Sequence, residues 1–165
     1  MDVKLTCCAL ISNLGMNLNV SKSKFTFKWR HGILKILFVC SGNAYRSPLA
    51  EALLKKLRPD LEVDSAGLHV VIPISSEVKN FLKKLDALQY LKSYSENLAE
   101  KNLRAYDLIV AMEPKHKTAI LRKCSDCTNK IIVWNIEDPY FDQREAAERI
   151  YAEIQIKVRD LAASL

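Results

Sequence analysis

Glycine and proline are scarce, at four and five of 165 residues, which excludes collagen-like and low-complexity chains. Apolar runs never approach the roughly 20 residues needed to cross a bilayer, so no membrane contact is expected. A disulfide framework is also missing. Cys7, Cys8, Cys40, Cys124 and Cys127 are odd in number and irregularly spaced, so free thiols in a reducing compartment are expected. Between Leu5 and Leu14 an apolar stretch is broken by Ser12 and Asn13, Asp2 offsets Lys4, and no small-x-small cleavage pattern follows. No secretory leader is therefore expected, and the location implied is cytoplasmic.

The main body also lacks a strong charge of one sign. The chain carries 25 Lys+Arg against 19 Asp+Glu, a net +6. Residues 1–32 hold Lys4, Lys22, Lys24, Lys28 and Arg30 against Asp2, so four of those six charges fall there. The remainder offers little ground for nucleic-acid binding. What is present is the balance of a globular protein, 49% apolar and 27% charged, long enough for one domain with a real core.

From residue 33 strand and helix patterns alternate. Ile33 to Val39 reads as a strand buried on both faces. Ser47-Pro48 reads as a helix start, Ser capping and Pro at the first position, with Leu49, Leu53, Leu54 and Leu57 as the buried stripe. Leu61 to Ser65 suggests a second strand, Ser75 to Leu88 a helix, Glu96 to Arg104 a short helix. Asp107 to Met112 and Ile131 to Trp134 are further strands, Pro114 to Arg122 lies between them, and a long helix carrying Ile150, Ile154, Val158 and Leu161 closes the chain. This is the rhythm of βαβ units: an α/β domain over 33–165, with a parallel sheet covered by helices on both faces. Residues 1–32 stand apart as an extension, either a hairpin or a flexible segment upstream of the true start.

Ligands of such sheets bind beyond the carboxyl ends of the strands. The loop after the first strand reads Val39-Cys40-Ser41-Gly42-Asn43-Ala44-Tyr45-Arg46-Ser47-Pro48. Successive N–H groups between a buried strand and a helix N-terminus form an anion nest. Gly42 is expected to supply the backbone angles of the curl. Cys40 sits where those N–H groups converge, an environment that favours thiolate over thiol. Arg46 can fold a planar fork over the same pocket and hold two phosphate oxygens, which Lys cannot. Ser47 can donate to the sulfur. A buried cysteine before an ordinary turn is the plain alternative for Cys40 alone; cysteine, arginine, strand and Pro-started helix together argue against it.

These residues, with Ala50-Glu51-Ala52, Asp64-Ser65-Ala66-Gly67, Tyr106 to Met112 and Glu137-Asp138-Pro139-Tyr140-Phe141, resemble the low-molecular-weight protein tyrosine phosphatases across 33–165. The resemblance implies a four-stranded parallel sheet of flavodoxin-like order 2-1-3-4. It makes Cys40 the nucleophile that forms a phosphocysteine, Arg46 the phosphoryl clamp, and Asp138 the general acid and then base. It places Ser41, Gly42, Asn43, Ala44, Tyr45 and Ser47 around the phosphate, with Asn43 bracing the loop and Ser47 supporting the thiolate. Tyr140 and Phe141 become the aromatic wall beside the substrate. Neither metal nor cofactor is implied. The implied partners are phosphorylated proteins or small aryl phosphates, with phosphate, sulfate or arsenate as pocket anions.

The chain departs from that pattern in several places. Tyr45 stands where many members have a second cysteine, so a disulfide inside the loop is not expected. Ala44 leaves phosphotyrosine and phosphoarginine both open. Leu68-His69-Val70-Val71-Ile72 replaces an aromatic wall with aliphatics, and His69 reads as a surface residue. Cys124 and Cys127 read as two thiols of a surface turn, joined as a disulfide only in an oxidising or extreme environment; a zinc site with His116 and a relay of the arsenate-reductase kind are alternatives. The reductase would need a cysteine directly after the third strand, where Ala111-Met112-Glu113 stands. A phosphate-binding module and a cysteine phosphocarrier are the remaining readings. The combination of nucleophile, arginine and acid speaks against both.

Overall fold

The computed structural model describes residues 32–139 and 144–165. Strand β1 is Lys35–Cys40 and helix α1 is Arg46–Leu57; β2 is Glu62–Gly67 and α2 is Ser76–Lys84. Strand β3 is Leu108–Ala111, α3 is Pro114–Lys123, β4 is Ile131–Val133 and α4 is Arg144–Ser164. All pairings are parallel, and the order is β2-β1-β3-β4. The order reverses between β1 and β3, so the loops leaving their carboxyl ends flank one crevice.

Ile36, Leu37, Phe38 and Val39 are fully buried, as the unbroken apolar run requires of a central strand. Leu37 and Val39 pack with Ile109, Ala111, Ile120 of α3 and Ile131 on one face. Alternation turns Ile36 and Phe38 to the other face, where α1 lies on β1 and β2 and packs against α4. Leu57 departs from the expected stripe and stands 45% exposed at the end of α1.

Two expected helices come out shorter. Helix α2 begins as read, Ser75 accepting from the Val78 N–H at 3.1 Å, but it stops at Lys84 and Leu88 belongs to a separate 3-10 turn, Leu88–Tyr90. Asp86 between them adopts φ 50°, a left-handed geometry that ends a helix. The stretch from Glu96 to Arg104 forms two 3-10 turns, Leu98–Glu100 and Leu103–Ala105. Each follows an asparagine in extended geometry, and Asn97 caps its own turn through the Ala99 N–H at 2.8 Å. Asparagine competes with the helix for backbone partners, while Leu98 and Leu103 anchor both turns in the core.

Candidate active site

Strand β1 ends on Cys40 and α1 begins at Arg46, so five residues carry the chain from sheet to helix. The Cys40 side chain is buried, and the Asn43 N–H donates to its sulfur at 3.3 Å. Ser47 Oγ lies 3.0 Å from the same sulfur. Ser47 does not cap α1: the N-cap position is Tyr45, without a side-chain capping bond. Its hydroxyl serves the sulfur from inside the first turn instead.

The expected role of Gly42 also needs correction. No glycine of the described residues has a positive φ; the left-handed corner is Asn43, at φ 52°. Asparagine tolerates that region when its amide is bonded locally. Here both Nδ2 hydrogens are used, on Ser47 Oγ at 2.9 Å and Ser65 Oγ at 2.7 Å, and Oδ1 accepts from the Glu96 N–H at 2.8 Å. The glycine that the loop demands is Gly67 at the end of β2. A Cβ there would sit 2.6 Å from Asn43 N and 2.7 Å from Gly42 C. Any side chain would push the loop off the sheet.

Arg46 is 1% exposed and reaches across to two other loops. Nη1 donates to Glu113 Oε2 at 2.5 Å and to the Ile136 carbonyl at 2.9 Å. Nη2 donates to Ser41 Oγ at 3.2 Å and pairs with Asp138 Oδ2. One guanidinium thus joins the Cys40 loop, the loop after β3 and the loop after β4. Burial raises the Glu113 carboxyl, but Arg46 and Lys115 outweigh it and hold it below the usual range. The Asp138 side chain remains 23% exposed.

His116 in α3 is buried against the same loop. Its Nδ1 accepts from the Glu113 N–H at 2.9 Å, so Nε2 carries the proton and donates to Ser41 Oγ at 3.1 Å. Burial, reinforced by the charge of Arg46, pushes its pKa down to about 4. The unfolded chain therefore binds this proton first, and stability is lost as pH falls from the ordinary histidine range towards about 4. Glu113 and Asp64, both held low, begin to add their losses only as pH falls through the ordinary carboxylate range, at the acidic end of this window. Chemical denaturation of wild type and His116→Gln across pH 7 to about 4 should show the decline chiefly in the wild type; parallel declines would refute the assignment.

Ser41, Gly42, Asn43, Ala44, Tyr45 and Ser47 line the loop together with Cys40. Tyr45 also borders a cavity of about 850 Å³ shared with Phe81, Pro139 and Tyr151. Tyr140 and Phe141 lie outside the described residues, as does the extension before residue 32. His69 is exposed, as read, with Val71 beside it 86% exposed.

Cys124 and Cys127 do not fit the expected surface thiols. They form a disulfide and are buried in the core against Ile120 and Leu103. With both sulfurs joined and both ring nitrogens of His116 occupied at the loop, the zinc grouping with His116 does not form. Glu113, His116, Ser65, Glu51 and the Ile136 carbonyl were missed as parts of this site. Glu51 and Ser65 stand inside motifs that carry the family resemblance, Ala50-Glu51-Ala52 and Asp64-Ser65-Ala66-Gly67, but nothing local marks them as supports of the loop.

A buried thiol, amide donors and a guanidinium at the crevice of a parallel sheet define a cysteine-dependent phosphomonoesterase. The family model of low molecular weight phosphotyrosine protein phosphatases matches residues 35–165, and the chain belongs to that family. The low molecular weight protein-tyrosine-phosphatase Wzb of Salmonella typhi is 33% identical over 143 residues, covering 79% of this chain and 93% of its own. Among solved structures, Vibrio vulnificus Wzb in complex with benzylphosphonate matches with TM-score 0.73 at 28% identity, covering 81% of this chain and all of that one. The YwlE arginine phosphatase from Geobacillus stearothermophilus matches with TM-score 0.70 at 27% identity, over 79% and 92%. Among the described residues no helix is long and apolar enough to cross a membrane.

Proposed function

We propose that this protein dephosphorylates protein phosphotyrosine through a phosphocysteine on Cys40, with the phosphatase domain spanning 33–165 and 1–32 an extension. The observation that carries the proposal is the sulfur held by the Asn43 N–H and Ser47 hydroxyl in the loop whose arginine is paired with Asp138. Incoming phosphate competes with Asp138 for Arg46, which stays anchored to Glu113 and the Ile136 carbonyl. Its oxygens take the guanidinium and the loop amides, which hold the charge that spreads over them during transfer. Asp138, released from Arg46 and protonated from solvent or in the preceding turnover, gives that proton to the leaving oxygen as the Cys40 thiolate bonds to phosphorus and the P–O bond breaks. The same carboxylate then takes a proton from water, which attacks phosphorus and restores the thiolate. Phosphate, sulfate and arsenate act as competitive pocket anions.

Phosphoarginine is the second substrate reading, left open by Ala44 and supported by the likeness to the YwlE arginine phosphatase. Arsenate reduction is disfavoured because Glu113, the anchor of Arg46, stands where a resolving cysteine is needed. The decisive assay offers purified protein phosphotyrosine, phosphoarginine, aryl phosphate and arsenate without added metal. Hydrolysis of phosphotyrosine is expected. Turnover of phosphoarginine alone, or thioredoxin-linked consumption of arsenate, would overturn the proposal.

Asp138→Ala tests the acid separately. For a leaving group that needs the proton, such as phenol, kcat should fall by about 10²- to 10³-fold. For a stable leaving anion such as p-nitrophenolate the fall should be much smaller. An equal loss on both would refute the proton transfer.

A further inference from the structure

A cluster of charges is packed between α1, the edge strand β2 and the segment after α2. Three carboxylates meet there: Glu51 of α1, 1% exposed, Asp64 of β2, and Glu96. Lys92 stands at their centre. Its Nζ lies 3.4 Å from Glu51 Oε2, 3.0 Å from Asp64 Oδ1 and 2.8 Å from the Ser65 carbonyl, and it also pairs with Glu96 Oε2. Lys101 bridges Asp64 and Glu96 at 2.6 and 3.2 Å, the Tyr106 hydroxyl donates to Asp64 at 2.8 Å, and Lys55 pairs with Glu51 at 2.5 Å.

Two routes lead from this ammonium to the sulfur. Ser65 Oγ donates to Glu51 Oε2 at 2.6 Å. Having spent its only proton, that hydroxyl can only accept from Asn43 Nδ2, which it does at 2.7 Å. The other Nδ2 hydrogen then goes to Ser47 Oγ, leaving the Ser47 proton for the sulfur at 3.0 Å. Its alternative acceptor, the Ala66 carbonyl, is poorer at 3.4 Å. The second route is Glu96, whose backbone N–H fixes Asn43 Oδ1 at 2.8 Å while its side chain is gripped by Lys92 and Lys101. Two of the three hydrogen bonds of the Asn43 side-chain amide therefore end on groups that Lys92 ties together, Ser65 and Glu96, and the third passes to Ser47.

We propose that Lys92 is a positioning residue for the nucleophile: it keeps Glu51 an oriented acceptor and Glu96 in place, and so sets the proton of Ser47 on the Cys40 sulfur. The assignment rests on Cys40 being the attacking group. Without the ammonium, three carboxylates share only Lys55 and Lys101 in this cluster, and Glu51 loses the cation beside Oε2, so that it can turn towards Lys55 or Glu96 can shift away. Either change frees Ser65 and loosens the asparagine corner, and the thiolate loses a directed donor.

The test uses the full chain and reads the thiol before any turnover. Alkylation of Cys40 by iodoacetamide at pH 6 should slow about tenfold in Lys92→Gln, since only the thiolate reacts, and kcat on p-nitrophenyl phosphate should fall by a similar factor. Lys92→Arg should recover most of the alkylation rate. In an Asn43→Gly background, which keeps the backbone corner but removes the amide, Lys92→Gln should add no further slowing. If Lys92→Gln fails to fold, the neutral pair Glu51→Gln with Lys92→Met replaces it, and slow alkylation is expected there too. Unchanged alkylation in the folded variant, or a slowing that persists beside Asn43→Gly, would overturn the proposal. Alkylation needs no substrate, so absence of phosphatase turnover in the wild type would count against the catalytic reading and leave this result standing.

Discussion

Cys40→Ser should lower hydrolysis of aryl phosphate by about 10⁴-fold or more while leaving the melting temperature nearly unchanged, because a serine hydroxyl ionises far less readily than a thiol. The substitution is nearly isosteric at a buried position whose neighbours, the Asn43 N–H and Ser47 hydroxyl, are equally able to bond an oxygen. The anion nest should therefore survive, and phosphate should still protect the variant against heating as it protects the wild type. Residual turnover within about tenfold of wild type would remove Cys40 from the chemistry. Loss of phosphate binding together with turnover would show that the substitution had collapsed the loop instead.

Arg46→Lys should cost about 10³-fold in kcat/KM, the scale of removing a transition-state arginine from phosphoryl transfer. The side chain is almost wholly enclosed and donates to four groups on three loops, Glu113, Ile136, Ser41 and Asp138. A single ammonium can neutralise charge but cannot present a planar fork, so it cannot bind two phosphoryl oxygens while staying anchored to Glu113 and the Ile136 carbonyl. Lysine is the informative replacement. Alanine would break the pairs of a buried guanidinium with Glu113 and Asp138, and breaking a buried pair costs about 3–5 kcal/mol, so lost activity could reflect lost fold. Steady-state kinetics with a thermal melt separate the two. A kcat/KM within about fivefold of wild type would show that charge alone suffices, without bidentate geometry.

Much of the architecture was legible before any coordinates. The apolar run at β1, the Pro-started helix, and the recurring strands define a parallel sheet through local periodicity alone, and the order β2-β1-β3-β4 follows the expected pattern. Boundaries were less legible wherever a single side chain decided them. Asn97 and Asn102 turned one expected helix into two short turns, and Asp86 stopped α2 early. Cys124 and Cys127 were misread because nothing in a Cys-x-x-Cys spacing says whether its turn faces solvent or core; Ile120 and Leu103 settle that by covering it.

Sequence by itself determined where a strand hands an anion nest to a helix, and which thiol and guanidinium that loop carries, since these lie within seven residues of one another. Tertiary structure decided what holds them. Arg46 finds Glu113 and Asp138 at separations of 67 and 92 residues, and Asn43 finds Ser65 and Glu96 at 22 and 53. Hydrogen bonds depend on directions set by folding, so no local pattern announces them. The left-handed corner belongs to Asn43 because those distant partners hold its amide. Gly67 is required because the loop passes within 2.6 Å of where its side chain would stand.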